Sequence, residues 1–270
     1  MDSLVIEQPC VDVVIPVFNG RQTILAALNS VLSGQGAWVH RIIVVDDGSS
    51  DNTAEIVKSL ECPNVELIST PNLGVARARN LGIDKTSAEW IAFLDADDEW
   101  MPGKLDIQLR TAKENGFGFV CASASVDSSI PSHQIPPQLL ALGNFVATSS
   151  VLVKRSVLRQ IQPVFTPGMS FAEDYLTWLK CVTLTRGYYI SNKLVEYSLS
   201  ELPHYRWPQI IDNLIELNKE YADFLCQTDK VFRLRFILRS ILTLGTLRSL
   251  FSIQKRFIKS RLQSRLRQTT

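Results

Sequence analysis

Short apolar segments alternate with amphipathic segments along the first hundred residues, and this pattern predicts alternating strands and helices. Apolar residues recur at helical spacing over 21–32, and further helices are predicted to end at Leu60 and near Asp84. Strand–helix units of about 25–30 residues indicate a parallel sheet with right-handed crossovers. Short runs rich in apolar residues predict strands over residues 11–17, 42–45, 65–69 and 90–94, and the last run has the length of a strand buried on both faces.

The pattern after residue 100 predicts further elements of the same kinds. A helix is expected to begin at the acid pair Glu173–Asp174, because Leu176, Leu179 and Val182 share one helical face. The remaining predictions are a helix over 104–115, a strand over 117–122, a Ser- and Pro-rich loop over 125–144, and strands over 146–153 and 193–197.

Acidic residues follow two of the predicted strands. Asp46 and Asp47 come after the second strand, and the acids Asp95, Asp97, Asp98 and Glu99 come after the fourth. Because parallel strands end at one edge of a sheet, these clusters are expected to meet in one crevice. Carboxylate oxygens suit Mg²⁺ or Mn²⁺, which proteins hold by one or two carboxylates plus a substrate's phosphates. The alternative is a solvated acidic turn that closes a strand.

The composition and the absence of certain motifs disfavour several classes of protein. No GxGxxG follows the first strand and no GxxxxGK[ST] occurs, which disfavours a dinucleotide oxidoreductase and a P-loop NTPase. Five widely spaced cysteines indicate a reducing compartment rather than a disulfide framework or a zinc knuckle. The acidic residues near the N-terminus argue against a signal peptide. The sequence contains no run of eighteen uncharged apolar residues, so no membrane span is predicted.

Four motifs in the first half resemble those of the family 2 glycosyltransferases, inverting enzymes of the GT-A fold. They are Val-Ile-Pro-Val-Phe-Asn at 14–19, Ile-Val-Val-Asp-Asp-Gly-Ser at 43–49, Asn-Leu-Gly-Val-Ala-Arg-Ala-Arg-Asn at 72–80 and Phe-Leu-Asp-Ala-Asp at 93–97. The resemblance is close over residues 11 to about 100 and looser to about 200.

The resemblance implies an α/β fold of the GT-A type, with a Rossmann-like, mostly parallel sheet flanked by helices. Because the resemblance reaches to about residue 200, we expect a catalytic and nucleotide-sugar-binding domain over 1–200. Apolar residues at helical spacing in the tail predict a helical C-terminal extension over 201–270. The extension is basic and amphipathic from residue 230.

The resemblance assigns roles to residues of the four motifs. Asp47 would hydrogen-bond the nucleotide base, Asp95 would meet the ribose, and Arg79 would face the nucleotide and its phosphates. The wall against the base would be formed by Pro16, Phe18 and Asn19. A solvated helix arginine is the alternative for Arg79.

Two further roles concern the reaction itself. Asp97 would bind the Mn²⁺ or Mg²⁺ ion that bridges the diphosphate, and Asp174 matches the position of the family's catalytic base. An acid in the first turn of a helix is also stabilised by the helix dipole, whatever its function. Because the dipole favours the ionised form, this position by itself does not explain a base that must take up a proton.

Together these assignments predict an inverting glycosyltransferase. It would move a sugar from a nucleotide-diphosphate donor, expected to be UDP-linked, to a hydroxyl of a glycan or lipid-linked acceptor in cell-surface polysaccharide synthesis. A sugar-phosphate nucleotidylyltransferase is an alternative, although Asn19, Gly20 and Arg21 do not form its Gly-rich phosphate loop. A non-catalytic membrane-surface scaffold of the same fold is another, and the retained acids at 47, 95, 97 and 174 argue against it.

The charge is distributed unevenly along the chain. Residues 230–270 hold eleven of the 28 Lys and Arg residues and no acid, so residues 1–229 hold 17 bases against all 27 acids. Large apolar side chains recur among these bases at helical spacing, which is typical of helices that lie on anionic membranes. We therefore expect a cytoplasmic protein, peripheral at the inner face of the cell membrane. Packing of the tail on the catalytic domain is the alternative, and an acidic body without a recognition module predicts no nucleic-acid partner.

Overall fold

The computed structural model describes residues 9–124, 130–141, 143–169 and 172–198, together with 213, 216, 217 and 219–225. The basic segment 230–270 and its predicted membrane contact lie outside the described residues. So does most of the predicted extension over 201–270.

The first half of the chain has the predicted alternation of strands and helices. Its elements are β1 (Val11–Val17), α1 (Ile24–Gly34), β2 (Val39–Asp46), α2 (Thr53–Ser59), β3 (Val65–Ser69), α3 (Val75–Asp84) and β4 (Trp90–Phe93). A short 3₁₀ turn, Gly36–Trp38, lies between α1 and β2.

The second half is built from shorter pieces. These are β5 (Glu99–Trp100), α4 (Lys104–Asn115), β6 (Phe119–Ser123), β7 (His133–Ile135), α5 (Pro137–Leu140), β8 (Leu152–Lys154), α6 (Arg155–Leu158), α7 (Glu173–Leu184), β9 (Gly187–Lys193) and β10 (Val195–Glu196). A second 3₁₀ turn, Thr148–Ser150, precedes β8.

The strands form an eight-stranded, mostly parallel sheet in the order β3-β2-β1-β4-β8-β6-β9-β7. Strands β8 and β7 run antiparallel to their neighbours, whereas β1 to β4 are mutually parallel. A separate two-stranded ribbon pairs β5 with β10. The predicted GT-A type α/β architecture is thus confirmed, with two antiparallel strands inserted beyond the parallel half.

In the second half, two local predictions were wrong and one strand was missed. The predicted loop over 125–144 contains β7 and α5, and β9 was not predicted. The predicted strand over 146–153 is broken by the turn at 148–150. Hydroxyl side chains favour such breaks because they bond to nearby backbone groups, as Ser150 Oγ does to the carbonyl oxygen of Ala147 at 2.7 Å.

Strand β1 is buried along its whole length, and its side chains alternate between two hydrophobic layers. Val13 and Ile15 enter one layer, and Val14 enters the other. In the second layer the Trp178 ring of α7 lies 5.6 Å from Phe93 on β4, between ring centroids. This packing places the first turn of α7 beside the carboxyl end of β4.

The described residues of the predicted extension pack against α7. Leu217 and Tyr221 belong to the same hydrophobic layer as Trp178. The hydroxyls of Tyr221 and Thr183 lie 2.8 Å apart within hydrogen-bonding distance. In the part of the chain that the structure describes, no helix is both long enough and apolar enough to cross a bilayer.

Candidate active site

The loops that follow β1 and β2 are joined by hydrogen bonds. The backbone N–H of Asn19 donates to Ser49 Oγ at 2.8 Å, and the side-chain oxygen of Asn19 accepts from the Ser50 N–H at 2.9 Å. Asn19 reaches these partners from a left-handed backbone conformation, with φ of 52°. The two loops therefore form one rigid rim of the crevice.

Pro16 and Phe18, which the sequence predicted beside the base, differ in their surroundings. Pro16 is buried inside β1 and is paired in register with Val45. Phe18 follows the strand and leaves 52% of its surface exposed. An exposed aromatic ring at the end of a sheet strand offers a face for stacking by a planar ligand.

Asp47 organises the loop in front of α3. One of its carboxylate oxygens accepts from the Thr70 hydroxyl at 2.9 Å and the Leu73 N–H at 2.7 Å, and the other accepts from the Gly74 N–H at 2.7 Å. Gly48 allows the loop to approach, since a Cβ atom there would lie 2.8 Å from the Asn72 nitrogen. The second and third sequence motifs are thus joined through Asp47.

Arg79 lies at the centre of the crevice and is 5% exposed. Its guanidinium donates to Asp95 Oδ1 at 2.7 Å and to Glu173 Oε1 at 2.8 Å. Burial by itself lowers the pKa of Arg79, but the carboxylates of Asp95 and Glu173 outweigh burial and raise it above its ordinary value. The arginine therefore joins the end of β4 to the start of α7, and it is not the solvated arginine of the alternative interpretation.

The acids in the loop after β4 differ from one another in burial. Asp95 and Asp97 are half-buried, whereas Asp98 is 1% exposed. One oxygen of Asp98 accepts from Ser149 Oγ at 2.5 Å and the other accepts from the Ser198 N–H at 2.8 Å. Burial raises the pKa of Asp98 to about 7, and these hydrogen bonds only partly oppose the rise. Asp98 thus holds the loop in place from inside the protein.

The acids of the crevice suit a metal ion that takes most of its ligands from the donor substrate. Among the described residues, no group of three or more His, Cys, Asp or Glu side chains is arranged to hold a metal by itself. Asp97 is a half-buried carboxylate in the same loop as Asp95 and Asp98, so it can offer an oxygen ligand at the crevice. One such carboxylate plus a diphosphate fits Mg²⁺ or Mn²⁺ chemistry.

Asp174 lies in the first turn of α7 and is half-buried. Its Oδ2 accepts from Thr148 Oγ1 at 3.0 Å, and its Oδ1 accepts from the Tyr175 N–H at 2.6 Å. Burial and then the nearby charge of Glu173 raise the pKa of Asp174 to about 6, with Arg79 partly opposing them. A raised pKa suits a base that must accept a proton near neutral pH.

Tyr197 marks the point at which the acids converge, and sequence reasoning did not identify it. Partial burial raises the pKa of its phenol to about 12, and the carboxylates of Asp98, Asp95, Asp174 and Asp97 add to the rise. All four acids are therefore close enough to act on one side chain. Tyr197 keeps 47% of its surface exposed, so it also borders solvent.

Solved structures identify the class of fold. TarS 1–349 of S. aureus, in a crystal structure in complex with UDP-GlcNAc, superposes with a TM-score of 0.73 over 90% of this chain and 73% of that chain, at 20% sequence identity. The architecture is that of the GT-A glycosyltransferases.

The chain belongs to glycosyl transferase family 2, whose family model matches residues 12–170. It is 30% identical over 174 residues to UDP-Glc:alpha-D-GlcNAc-diphosphoundecaprenol beta-1,3-glucosyltransferase WfgD of Escherichia coli, covering 63% of this chain and 68% of that protein. It is also 30% identical over 226 residues to the putative teichuronic acid biosynthesis glycosyltransferase TuaG of Bacillus subtilis (strain 168), covering 78% and 83%. The predicted family is confirmed, while the roles of individual site residues stay predictions.

Proposed function

We propose that this glycosyltransferase is an inverting enzyme that moves a sugar from a UDP-linked donor to a hydroxyl of a lipid-linked or glycan acceptor in polysaccharide synthesis. The observation that carries the proposal is Asp174, a carboxylate of raised pKa at the edge of an acidic crevice built by nucleotide-binding motifs. The names of the relatives support it, since WfgD is described as using UDP-Glc and a diphosphoundecaprenol acceptor and TuaG as acting in teichuronic acid synthesis.

The donor would lie along the carboxyl ends of the parallel strands. In this arrangement the base stacks beside Phe18, near Pro16 and Asn19, and hydrogen-bonds to Asp47. Asp95 meets the ribose, and Arg79 contributes positive charge near the phosphates while it holds Asp95 and Glu173. The loop contacts of Asn19 and Asp47 fix these groups before the donor binds, which lowers the ordering cost of binding.

The diphosphate requires charge neutralisation as it leaves. Asp97 would hold Mn²⁺ or Mg²⁺ together with the donor's phosphate oxygens. When bound, the ion neutralises the charge that grows on the diphosphate. The half-buried position of Asp97 beside three other acids supports this assignment.

Asp174 would act as the general base. Its carboxylate takes the proton of the acceptor hydroxyl while that oxygen forms a bond to C1 of the sugar. The bond between C1 and the diphosphate oxygen breaks on the opposite face, and UDP leaves with the electron pair. A pKa of about 6 leaves Asp174 ionised at neutral pH but basic enough to accept the proton.

Replacing Asp174 tests the proposal directly. Asp174→Asn keeps the size of the side chain and removes the base, so turnover should fall about 10²–10⁴-fold while donor binding changes little. Asp106→Asn, on the exposed face of α4, is the matched control and should retain activity. Loss of donor affinity with turnover preserved would instead place Asp174 in the nucleotide site and overturn its role as base.

We also propose that residues 230–270 hold the protein at the cytoplasmic face of the membrane. Eleven bases without an acid, interleaved with apolar side chains, support this proposal. The full-length protein should pellet with anionic vesicles at low salt and be released as salt rises, because screening weakens attraction to the headgroups. Neutralising Lys255, Arg256 and Lys259 to Gln should weaken binding, and absence of binding at low salt would refute it.

A further inference from the structure

The 3₁₀ turn Thr148–Ser150 brings three consecutive hydroxyl side chains beneath the crevice. Thr148 is 5% exposed, and Ser149 and Ser150 are fully buried. Hydroxyl groups in such positions need partners, because an unmade buried hydrogen bond is costly. The partners of the first two are acids of the crevice or the loop that carries them.

Thr148 contacts the candidate base, and Ser149 contacts the loop proposed to receive the donor diphosphate. Thr148 Oγ1 donates to Asp174 Oδ2 at 3.0 Å, across 26 positions of the sequence. Ser149 Oγ donates to Asp98 Oδ2 at 2.5 Å and accepts from the backbone N–H of Asp95 at 2.9 Å. Adjacent residues of one turn therefore hold the candidate base and the loop that bears Asp95 and Asp97.

The core fixes this turn from below. Trp100 Nε1 donates to the carbonyl oxygen of Ser149 at 2.7 Å, and Gln108 Nε2 donates to that of Ser150 at 2.7 Å. Gln108 is itself held by Lys104 Nζ, which donates to its Oε1 at 2.8 Å. All three supporting side chains are buried. The turn thus has the buried support that precise placement of a reactive group requires.

We propose that Thr148 and Ser149 are positioning residues for glycosyl transfer: Thr148 aims the carboxylate of Asp174, and Ser149 fixes the loop that receives the donor diphosphate. The inference rests on the proposed function of this site. Its physical reason is that the acceptor oxygen must meet C1 in line with the departing diphosphate. A fixed spacing between base and diphosphate loop supplies that alignment, and errors of about 1 Å are costly to rate.

Two substitutions of Thr148 distinguish the contribution of its hydroxyl from that of its side-chain shape. Thr148→Val keeps the shape and removes the donor, so kcat should fall roughly tenfold or more with the Kd for UDP unchanged. Losing a hydrogen bond to the ionised form should also move the acid limb of kcat/KM up by about one pH unit. Thr148→Ser keeps the donor and should restore both values.

The other charged groups around Asp174 are the same in both Thr148 variants. They are Glu173 on α7 and Arg79 on α3, which act on Asp174 directly, and the Tyr197 phenol, on which Asp174 and the loop acids at 95, 97 and 98 all act. A loss in Thr148→Val that Thr148→Ser does not show therefore reports on the hydroxyl, because Val keeps the shape of Thr and Ser keeps its hydroxyl. Thermal unfolding of each variant checks that the fold is kept. Should Thr148→Val not fold, Thr148→Ala is compared with Thr148→Ser in the same way.

Ser149 is expected to show the opposite pattern. Ser149→Ala releases Asp98 and the Asp95 N–H together, so the Kd for UDP in the presence of Mn²⁺ should rise about tenfold with the acid limb unmoved. Ser150→Ala is the matched control, because the Ser150 hydroxyl donates to the Ala147 carbonyl oxygen within the turn. This control should keep wild-type binding and pH dependence.

The outcomes separate this inference from the proposed function. If Thr148→Val and Ser149→Ala keep the wild-type kcat, pH profile and UDP affinity, the positioning role is wrong, and the proposed function is unaffected. An equal effect of Ser150→Ala would also overturn the positioning role, since the turn would then act through general stability. Absence of any donor binding or transfer by the wild-type protein would refute the proposed function itself.

Discussion

Arg79 organises the carboxylates of the crevice at the scale of single residues. It is buried and joins Asp95 to Glu173, two residues 78 positions apart in the sequence. Removing one partner of a buried charge network leaves the others desolvated and unpaired, which costs more than the pair contributes by itself. We therefore expect Arg79 to support the fold of the site as well as its charge.

Arg79→Met should lower the free energy of unfolding by about 3 kcal/mol, because two carboxylates lose their buried cation. Urea denaturation measures the change. Arg77→Met, on the exposed face of the same helix, is the control and should alter stability by less than about 0.5 kcal/mol. Equal stability of the two variants would show that Arg79 is dispensable to the structure.

The pH dependence of the reaction should report on Asp174. Burial and Glu173 raise its pKa to about 6, so the base is protonated and inactive below that pH and ionised above it. We expect kcat/KM to rise with pH through about 6 and then to level off. A rise centred near pH 4, the ordinary range of an aspartate, would contradict the environment described for Asp174.

At the scale of elements, the contact between α3 and β1 sets the depth of the crevice. A Cβ atom at Gly82 would lie 2.5 Å from Val14 Cγ1 and 3.3 Å from Val45 Cγ2. The absence of a side chain lets α3 lie directly on β1 and β2. Because Arg79 is one turn away on the same helix, this contact also sets its position.

Gly82→Ala should destabilise the protein by about 1–3 kcal/mol through overpacking. Gly34→Ala is the control, because its added methyl would meet Pro102 at an ordinary 3.5 Å and alanine is the better helix former. Thermal unfolding should therefore show a lower Tm for the first variant and an equal or higher Tm for the second. Equal Tm values for Gly82→Ala and the wild type would contradict close packing at this point.

The sequence was sufficient for the parallel half of the sheet and insufficient for the rest. Strands β1 and β4 are buried along their whole length, so their apolar runs are nearly continuous, and acids follow β2 and β4. Ser149, Thr148 and Tyr197 gave no such signal. Hydroxyl residues have no periodic pattern, and Ser149 meets Asp98 from 51 positions away. Their roles depend on tertiary contacts that only the structure reveals.

At the scale of the whole molecule, the acidic crevice determines what the protein can bind. Four carboxylates act on Tyr197, and Arg79 is already held by two acids. A donor diphosphate brought into this field is repelled unless a cation accompanies it. We therefore expect nucleotide binding and cation binding to occur together.

Isothermal titration of UDP into the full-length protein, with and without Mn²⁺, tests this expectation most directly. Binding should be measurable with Mn²⁺ and about tenfold or more weaker without it, because the ion offsets repulsion between the diphosphate and the acids. Asp97→Asn should fold normally and lose most of the enhancement by Mn²⁺. Absence of UDP binding with Mn²⁺ present, or equal affinity with and without the ion, would contradict the proposed role of the cation in donor binding.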